Sequence, residues 1–160
     1  MHVRGAGVDD ASVIFEILSR DEGDAAVGQT RPTFDDVRQF LASHAADAFI
    51  AESERPGVAG SERTAIGVTM FHRQGDVLWL FRVAVVESMR NRGVGRSLIE
   101  AVEARARGAG TAAVFVQVPK GSHAQSFFER LGYRVDNEER EVIAGQPLVM
   151  VDLVKLVDST

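Results

Sequence analysis

The sequence contains no cysteine, and it lacks several other features that mark particular classes of protein. Without a thiol the chain can form no disulfide, no thiolate metal site and no cysteine nucleophile. No apolar run approaches the roughly 18 residues that a membrane-spanning helix needs, and no long apolar segment of a secretory signal stands near the N-terminus. No repeat or low-complexity segment is present. We therefore expect a cytoplasmic protein without a membrane partner, folded as a single domain over residues 1–160.

Positive charge is also scarce, since the formal net charge is −5 at pH 7. An acidic chain is poorly suited to general nucleic-acid binding, so we expect no nucleic-acid partner. The apolar content of 45% is enough for a sizeable core in a chain of 160 residues. Against this acidic background, residues 90–107 hold five arginines and only two glutamates. Positive charge is thus concentrated in one segment.

That segment begins with a short basic turn, Arg90-Asn91-Arg92-Gly93-Val94-Gly95, which lies between two different hydrophobic patterns. The apolar run Val77–Val86 precedes the turn and predicts a strand. A helical pattern of apolar residues follows it and ends at Gly108 and Gly110. The local order is therefore strand, tight turn, helix.

The composition of this turn favours phosphate binding. Gly93 and Gly95 have no Cβ, so the backbone can bend sharply and a ligand can approach its N–H groups. The first turn of a helix carries unbonded N–H donors and a partial positive charge, which suits phosphate. Arg90, Arg92 and Arg96 add guanidinium groups that can form paired hydrogen bonds to phosphate oxygens. The turn predicts a pyrophosphate site; the alternative is that its glycines only let a strand turn into a helix.

Two better-known phosphate-binding motifs do not fit. A P-loop requires a glycine five residues before Gly95 and a lysine after it, but the chain has Arg90 and Arg96 at these positions. Ser97 alone matches the end of that motif. A dinucleotide-binding fingerprint requires a third glycine three residues after Gly95, where the chain has Leu98.

A second motif, Ala-x-x-Phe-Phe-Glu-Arg-Leu-Gly-Tyr, covers residues 124–133, and the valine-rich segment Thr111–Val118 separates it from the basic turn. The Arg-x-x-Gly-x-Gly turn after Val85 and this second motif together resemble the acyl-CoA motif and the second motif of the GCN5-related N-acetyltransferases, the GNAT superfamily. The specific part of the resemblance covers residues 78–133. A looser similarity in element order extends over residues 2–157.

The resemblance implies a single-domain α/β (α+β) fold with the element order β-α-α-β-β-β-α-β-α-β-β. Its sheet would be mixed but mainly antiparallel, with two splayed parallel strands at the centre and helices on both faces. Hydrophobic patterns place strands at His2–Ala6, Ala48–Glu52, Thr64–Arg73, Val77–Val86, Thr111–Val118, Tyr133–Val142 and Leu148–Val157. Residues 53–62 are expected to form an exposed hairpin loop. Capping patterns place helix starts after Thr33 and after Ser122.

The same resemblance implies the ligands and their positions. Acetyl-CoA would be the acyl donor, an amine of unknown identity would attack it directly in a ternary complex, and no metal would take part. The pantetheine arm would bond to main-chain groups of the central strand, and the pyrophosphate would meet the turn. The residues implied to bind acetyl-CoA are Val83, Ala84, Val85, Arg90, Arg92, Gly93, Val94, Gly95, Arg96, Ser97, Ala124 and Phe128. A homodimer remains open.

Three residues depart from the family pattern. Trp79 stands where a glutamate is common on the central strand, and Phe128 stands where a tyrosine is common in the second motif. Gly121 replaces a frequent asparagine. General base and general acid are therefore both unassigned by the resemblance, and a non-catalytic module that only binds acyl-CoA becomes an alternative.

Other residues could supply the missing chemistry. Glu87, directly after the central strand, could accept the amine proton directly or through water, or it could be a solvated loop acid. Arg82 could line the acceptor pocket or pair with a core carboxylate. His72 could titrate near the site, or it could be an exposed turn histidine. The acids Asp21, Glu22 and Asp24 could form a rim that attracts a cationic amine, or a solvated loop.

Overall fold

The computed structural model describes residues 1–20, 32–43, 47–57, 60–143 and 145–157. The strands are β1 (His2–Gly5), β2 (Ala48–Gly57), β3 (Gly60–Gln74), β4 (Val77–Val85), β5 (Ala113–Pro119), β6 (Arg134–Ile143) and β7 (Gln146–Leu156). The α-helices within these ranges are α1 (Ala11–Ser19), α2 (Phe34–Ser43), α3 (Val94–Gly108) and α4 (His123–Arg130). This confirms the expected element order. Within the described ranges, no helix combines the length and the apolar character needed to cross a membrane.

All seven strands form one sheet in the order β1-β2-β3-β4-β5-β7-β6. Every neighbouring pair is antiparallel except β4 and β5, which are parallel. The exception follows from the chain path, because α3 carries the chain back across the sheet between these two strands. The mixed, mainly antiparallel sheet that the sequence predicts is thus confirmed.

The two parallel strands separate halfway along their length. β4 pairs with β5 only over residues Val77–Leu80, which lie opposite residues 113–116 of β5. Beyond Leu80, β4 stays with β3 up to Val85, whereas β5 stays with β7 up to Pro119. An irregularity in the β3–β4 register, where Met70 pairs with Arg82 and Phe71 with Leu80, marks the point of separation. The expected splay between the central strands is confirmed.

Helices cover the two faces of the sheet in pairs. On one face, α3 contributes a stripe of fully buried residues, Leu98, Ile99, Val102 and Ala106, which recur at helical spacing. This stripe and α4 pack on inward-facing residues of β4, β5 and β7. On the other face, α1 and α2 cover β2, β3 and the end of β4. Each buried aliphatic side chain contributes about 1.5–3 kcal/mol, so α3 is firmly held behind the basic turn.

A buried polar contact also fixes α3 to the sheet. The Glu103 carboxylate on α3 is 4% exposed, and it accepts hydrogen bonds from the Tyr133 hydroxyl (3.0 Å) and from Lys155 Nζ (3.1 Å). Lys155 Nζ also donates to the Leu131 carbonyl at 2.8 Å. Burial, and then the negative charge of Glu103, raise the pKa of Tyr133 above its ordinary value. The network joins α3, the end of α4 and β7.

Both predicted capping patterns are present. The Thr33 hydroxyl accepts the Asp36 N–H at 3.1 Å, and the Asp36 carboxylate accepts the Thr33 N–H at 2.9 Å, which opens α2. The Ser122 hydroxyl accepts the Gln125 N–H at 3.2 Å, and the Gln125 Oε1 accepts the Gly121 N–H at 2.7 Å, which opens α4. These reciprocal bonds satisfy N–H groups that a helix leaves unpaired at its start.

The prediction of a loop over residues 53–62 is wrong. β2 extends to Gly57 and β3 begins at Gly60, so the two strands continue outward as a long charged hairpin whose Arg55 and Glu62 lie opposite each other. Polar side chains and Pro56 gave no strand signal in the sequence. β1 pairs with β2 only as far as Glu52, so beyond this residue β2 is an edge on that side, where proline is tolerated.

Candidate active site

The basic turn adopts a conformation that exposes the start of α3. Asn91 and Gly93 both have left-handed backbone angles, with φ of 63° and 84°. Gly93 is the residue before the helix, and no side chain caps the first turn. The Ser97 N–H already bonds to the Gly93 carbonyl at 3.0 Å. The N–H groups of residues 94–96 lie ahead of this first intrahelical bond and are thus directed out of the helix end.

Gly95 has a different role from the one its sequence suggested. Its backbone is not left-handed, so it does not supply the bend. A Cβ at this position would lie 3.2 Å from Phe127 Cζ and 3.8 Å from Val85 Cγ2. Gly95 therefore lets the start of α3 pack closely against α4 and against the end of β4, whereas Gly93 supplies the bend.

The three arginines lie around the exposed helix start, and each side chain is in a different setting. Arg90 Nε donates to the Val85 carbonyl at 3.2 Å, which ties the turn to the end of β4. Arg96 Nε pairs with Glu100 Oε1 at 2.9 Å on the surface of α3. Arg92 is exposed. Three of the five arginines in residues 90–107 therefore lie at the helix N-terminus, whereas Arg105 and Arg107 lie in the last turn at its other end.

Main-chain groups of β4 face the opening between β4 and β5. The Val86 N–H bonds to the Ile66 carbonyl on β3 at 2.8 Å. Residues that bond to the neighbouring strand alternate with residues that do not along an antiparallel pair. The main-chain groups of Ala84 therefore bond to β3, whereas the N–H and C=O groups of Val83 and Val85 point away from β3, toward the opening. The ladder to β5 ends before these residues. The expected main-chain contacts therefore fit Val83 and Val85, while the side chain of Ala84 is buried beneath α1 and α2.

The second motif folds as α4 and the turn after it. Ala124 is half-buried against the core. Phe128 is 3% exposed and packs edge-on between Phe127 and Tyr133, with ring centroids 5.0 Å and 5.1 Å away. Phe128 thus forms part of the apolar core behind the opening, and its ring offers no proton to a leaving group.

Aromatic side chains line the opposite face of the sheet. Trp79 on β4 lies 4.3 Å from the Phe115 ring on β5 and stacks on His72 of β3 at 6.3 Å. His72 in turn contacts Phe81 at 5.5 Å, and Phe81 contacts Phe40 of α2 edge-on at 5.2 Å. His72 is a half-buried strand residue, so the interpretation as an exposed turn histidine is wrong. Trp79 carries no proton-accepting group where the family often has a glutamate.

Two adjoining clefts lie along this aromatic face and share Phe40 and Phe81 as walls. One has a volume of about 340 Å³ and lies beside the point where β4 leaves β5. The other has a volume of about 480 Å³ and extends away from it. The first is lined by Pro32, Asp36, Val37, Phe40, Met70, Phe81 and Arg82. The second is lined by Phe40, Asp47, His72, Arg73 and Phe81.

Two carboxylates belong to the elements around the opening. Glu87 is exposed, in a short 3-10 turn directly after β4. Asp152 on β7 is 6% exposed, and its carboxylate accepts hydrogen bonds from Gln117 Nε2 at 2.9 Å and from Asn137 Nδ2 at 3.4 Å. Gln117 is the first residue of β5 beyond its last contact with β4. Sequence reasoning missed Asp152, although a single acid within an apolar strand is an available signal.

The predicted acidic rim, Asp21, Glu22 and Asp24, lies outside the described residues. Within those residues, the turn, α4 and Glu87 come together at the carboxyl end of β4, in the middle of the sheet. Arg82 faces the adjacent cleft.

The family model for the acetyltransferase (GNAT) family matches residues 13–133, which is most of the chain. No curated protein gives a significant sequence match. Ribosomal-protein-alanine N-acetyltransferase from Brucella melitensis superimposes with a TM-score of 0.78 at 20% identity, over 98% of this chain and 100% of that one. The protein yncA from Salmonella typhimurium, solved with its cofactor acetyl-CoA, gives 0.73 at 18% identity, over 100% and 95%. NAA60 from Arabidopsis thaliana, solved with a bisubstrate analogue, gives 0.74 at 17% identity, over 98% and 99%. The shared fold, the basic turn at the end of β4 and the family match lead to one conclusion: the chain belongs to the GNAT acetyltransferase family.

Proposed function

We propose that the chain transfers an acetyl group from acetyl-CoA to a primary amine by direct attack within a ternary complex. The observation that carries this proposal is the uncapped start of α3 beside the point where β4 and β5 separate. The first feature suits a pyrophosphate and the second leaves room and main-chain partners for a pantetheine arm. The acetyl-CoA found in yncA, a protein of the same fold, supports the choice of donor.

In this proposal the chain holds acetyl-CoA mainly through its backbone. The N–H groups of residues 94–96 bind the pyrophosphate oxygens, helped by the helix dipole. Arg90, Arg92 and Arg96 add charge around them. The pantetheine arm pairs with the main-chain groups of Val83 and Val85 in place of the missing ladder to β5. Ser97 on α3, and Ala124 and Phe128 on α4, lie in the helices that flank the pantetheine arm.

The reaction itself forms one bond and breaks one. The amine nitrogen attacks the thioester carbonyl carbon, the C–S bond breaks, and the CoA thiolate leaves and takes up a proton. A thiol with a pKa near 8.5, as in cysteine, leaves with little assistance, which suits a site without the tyrosine hydroxyl at Phe128. Holding both reactants in attack geometry contributes roughly 7–11 kcal/mol, so positioning accounts for much of the rate.

Removal of the amine proton is the harder requirement, since an alkylamine with a pKa near 10 is mostly charged at pH 7. We assign this step to Glu87, which accepts the proton directly or through water from its exposed position after β4. Asp152 is the second candidate because it is buried and accepts a hydrogen bond from Gln117, the first residue of β5 beyond its pairing with β4. The rate is expected to rise with pH because more of the amine becomes neutral.

A thiol-release assay with acetyl-CoA and a broad panel of primary amines tests this function. We expect release that depends on the amine and increases from pH 7 to 9. Glu87→Gln is expected to lower the rate about a hundredfold, at the low end of general-base contributions, with unchanged CoA affinity. A chain that binds CoA but releases no thiol with any amine would contradict the transferase and support the non-catalytic acyl-CoA-binding module.

A further inference from the structure

The smaller cleft on the aromatic face carries a second recognition feature. Its walls are apolar, with Val37 and Phe40 from α2 facing Met70 and Phe81 from the sheet. Its volume of about 340 Å³ falls in the range of small-molecule sites, about 300–1,000 Å³. Arg82 lies in this cleft, at the irregularity where β4 leaves β5 and three residues before Val85. The cleft therefore begins beside the segment of β4 to which we assign the pantetheine arm.

Two opposite charges line this cleft, a half-buried Arg82 and an exposed Asp36. Arg82 comes from β4, and Asp36 comes from the first turn of α2 on the other side of the cleft. Hydrogen bonds from the Thr33 backbone and hydroxyl, together with the positive charge of Arg82, lower the pKa of Asp36 below its ordinary value. Asp36 is therefore ionised at neutral pH. The cleft presents a cation and an anion together, which is complementary to a zwitterion.

An α-amino acid is a zwitterion whose carboxylate lies one carbon away from the amine. A protein N-terminus or a lysine side chain has no carboxylate at that position. The planar guanidinium of arginine matches a carboxylate with two parallel hydrogen bonds, and its five donors exceed what one carboxylate uses. Beside these charges, Phe40 and Phe81 provide an apolar surface for the rest of the molecule.

We propose that the amine acceptor is a free α-amino acid with an apolar side chain, whose carboxylate binds Arg82 and whose ammonium group is attracted by Asp36. This inference rests on the proposed transferase function and names its substrate class. The side chain of the amino acid lies against Phe40 and Phe81. Its amine, once neutral, attacks the thioester near the point where β4 leaves β5.

Three acceptors that share one side chain test the role of the carboxylate: phenylalanine, phenylalanine methyl ester and 2-phenylethylamine. Wild-type protein is expected to show a kcat/KM at least about tenfold higher for phenylalanine than for 2-phenylethylamine. Arg82→Gln is expected to lower kcat/KM for phenylalanine by roughly ten- to hundredfold, the usual contribution of a charge-assisted hydrogen bond. It should change the values for the ester and for 2-phenylethylamine less than threefold. Comparing each acceptor between wild type and variant cancels the differences in intrinsic amine reactivity.

Control variants separate this role from a general loss of structure. Arg82→Lys keeps the positive charge but cannot form two parallel hydrogen bonds to a carboxylate. Its kcat/KM for phenylalanine should therefore lie between those of Arg82→Gln and wild type. Arg63→Gln removes an exposed arginine from the outer hairpin and should leave all three acceptors unchanged. CoA affinity measured by calorimetry should be the same in all variants. Equal loss for all three acceptors in Arg82→Gln, or equal wild-type rates for phenylalanine and 2-phenylethylamine, would overturn the proposal.

A binding measurement distinguishes failure of this site from failure of the transferase. Trp79 is the single tryptophan and stacks on His72 next to Phe81, so its fluorescence should report phenylalanine binding. In one outcome, phenylalanine changes the fluorescence of wild type but not of Arg82→Gln, and no thiol is released. That result would support the amino-acid site and contradict acetyl transfer. Amine acetylation with no dependence on Arg82 would support transfer and contradict the amino-acid site.

Discussion

Gly93 and Gly95 are separated by one residue, yet different physical constraints require glycine at each position. Gly93 has φ of 84°, a region that costs a residue with a Cβ about 1–2 kcal/mol, but no atom lies within 4 Å of where that Cβ would be. Gly95 does not have left-handed backbone angles, but a Cβ added to it would lie only 3.2 Å from the Phe127 ring. Gly93 thus sets the direction of the N–H groups, and Gly95 sets how closely α3 approaches α4.

Gly93→Ala should weaken CoA binding, because the strain displaces the N–H groups that we assign to the pyrophosphate. Gly110→Ala is its matched control: Gly110 lies just beyond the other end of α3, has φ of 72°, and also has open space around its Cβ position. Both variants should lose about 1 kcal/mol of unfolding free energy. Calorimetry should show about tenfold weaker CoA binding for Gly93→Ala alone, which corresponds to about 1.4 kcal/mol. Equal CoA affinities in the two variants would contradict the assignment.

At this scale the sequence predicted the position of the turn, and its phosphate-binding role stays a prediction. Spacing and residue type were sufficient to place Gly93 at the bend and three arginines around the helix start. The role of Gly95 depends on Phe127, which lies far along the chain and meets α3 only after α4 has packed. The burial of Asp152 depends in the same way on amide partners from two other strands. Long-range contacts of this kind leave no local pattern in a single sequence.

At the scale of elements, α4 positions the site although it spans only eight residues. A helix this short is marginal by itself, so its start depends on the cap and its position on packing. The Ser122 hydroxyl accepts the Gln125 N–H, and Phe127 holds the helix against Gly95. Weakening the cap should therefore loosen the wall behind the turn.

Ser122→Ala is expected to lower the free energy of unfolding by about 1 kcal/mol, as for other serine caps. Ser126→Ala, in the same helix, removes an exposed serine and replaces it with a better helix former, so it should leave stability unchanged or slightly higher. Chemical denaturation of both variants measures this difference. A loss of stability in Ser126→Ala equal to that in Ser122→Ala would show that the cap bond is not the cause.

Sequence patterns predicted the order and type of the described helices and strands, because apolar periodicity and capping residues are local signals. Prediction failed over residues 53–62, where β2 and β3 continue as a charged hairpin held by main-chain pairing. Backbone hydrogen bonds between exposed strands do not require apolar residues, so they leave no periodicity to detect. The splay itself came from the family resemblance, since nothing in the residues of β4 or β5 alone specifies where their pairing stops.

At the scale of the whole molecule, charge and topology bring the two halves of the proposed reaction to one opening. The chain has a net charge of −5, but Arg90, Arg92 and Arg96 lie around the start of α3. α3 and α4 flank the CoA side of the sheet, while α2 and the aromatic residues of β3 and β4 form the clefts on the other face. The separated strands β4 and β5 connect these two faces, so a thioester between them can meet an amine from the cleft.

The central claim is that this opening holds acetyl-CoA, and a crystal structure of the acetyl-CoA complex tests it most directly. We expect pyrophosphate oxygens within about 3 Å of the N–H groups of residues 94–96, the usual hydrogen-bond distance. The pantetheine arm should lie between β4 and β5 beyond Leu80, bonded to main-chain groups of Val83 and Val85. Acetyl-CoA bound elsewhere, or between the strands but with its pyrophosphate away from the start of α3, would contradict the claim.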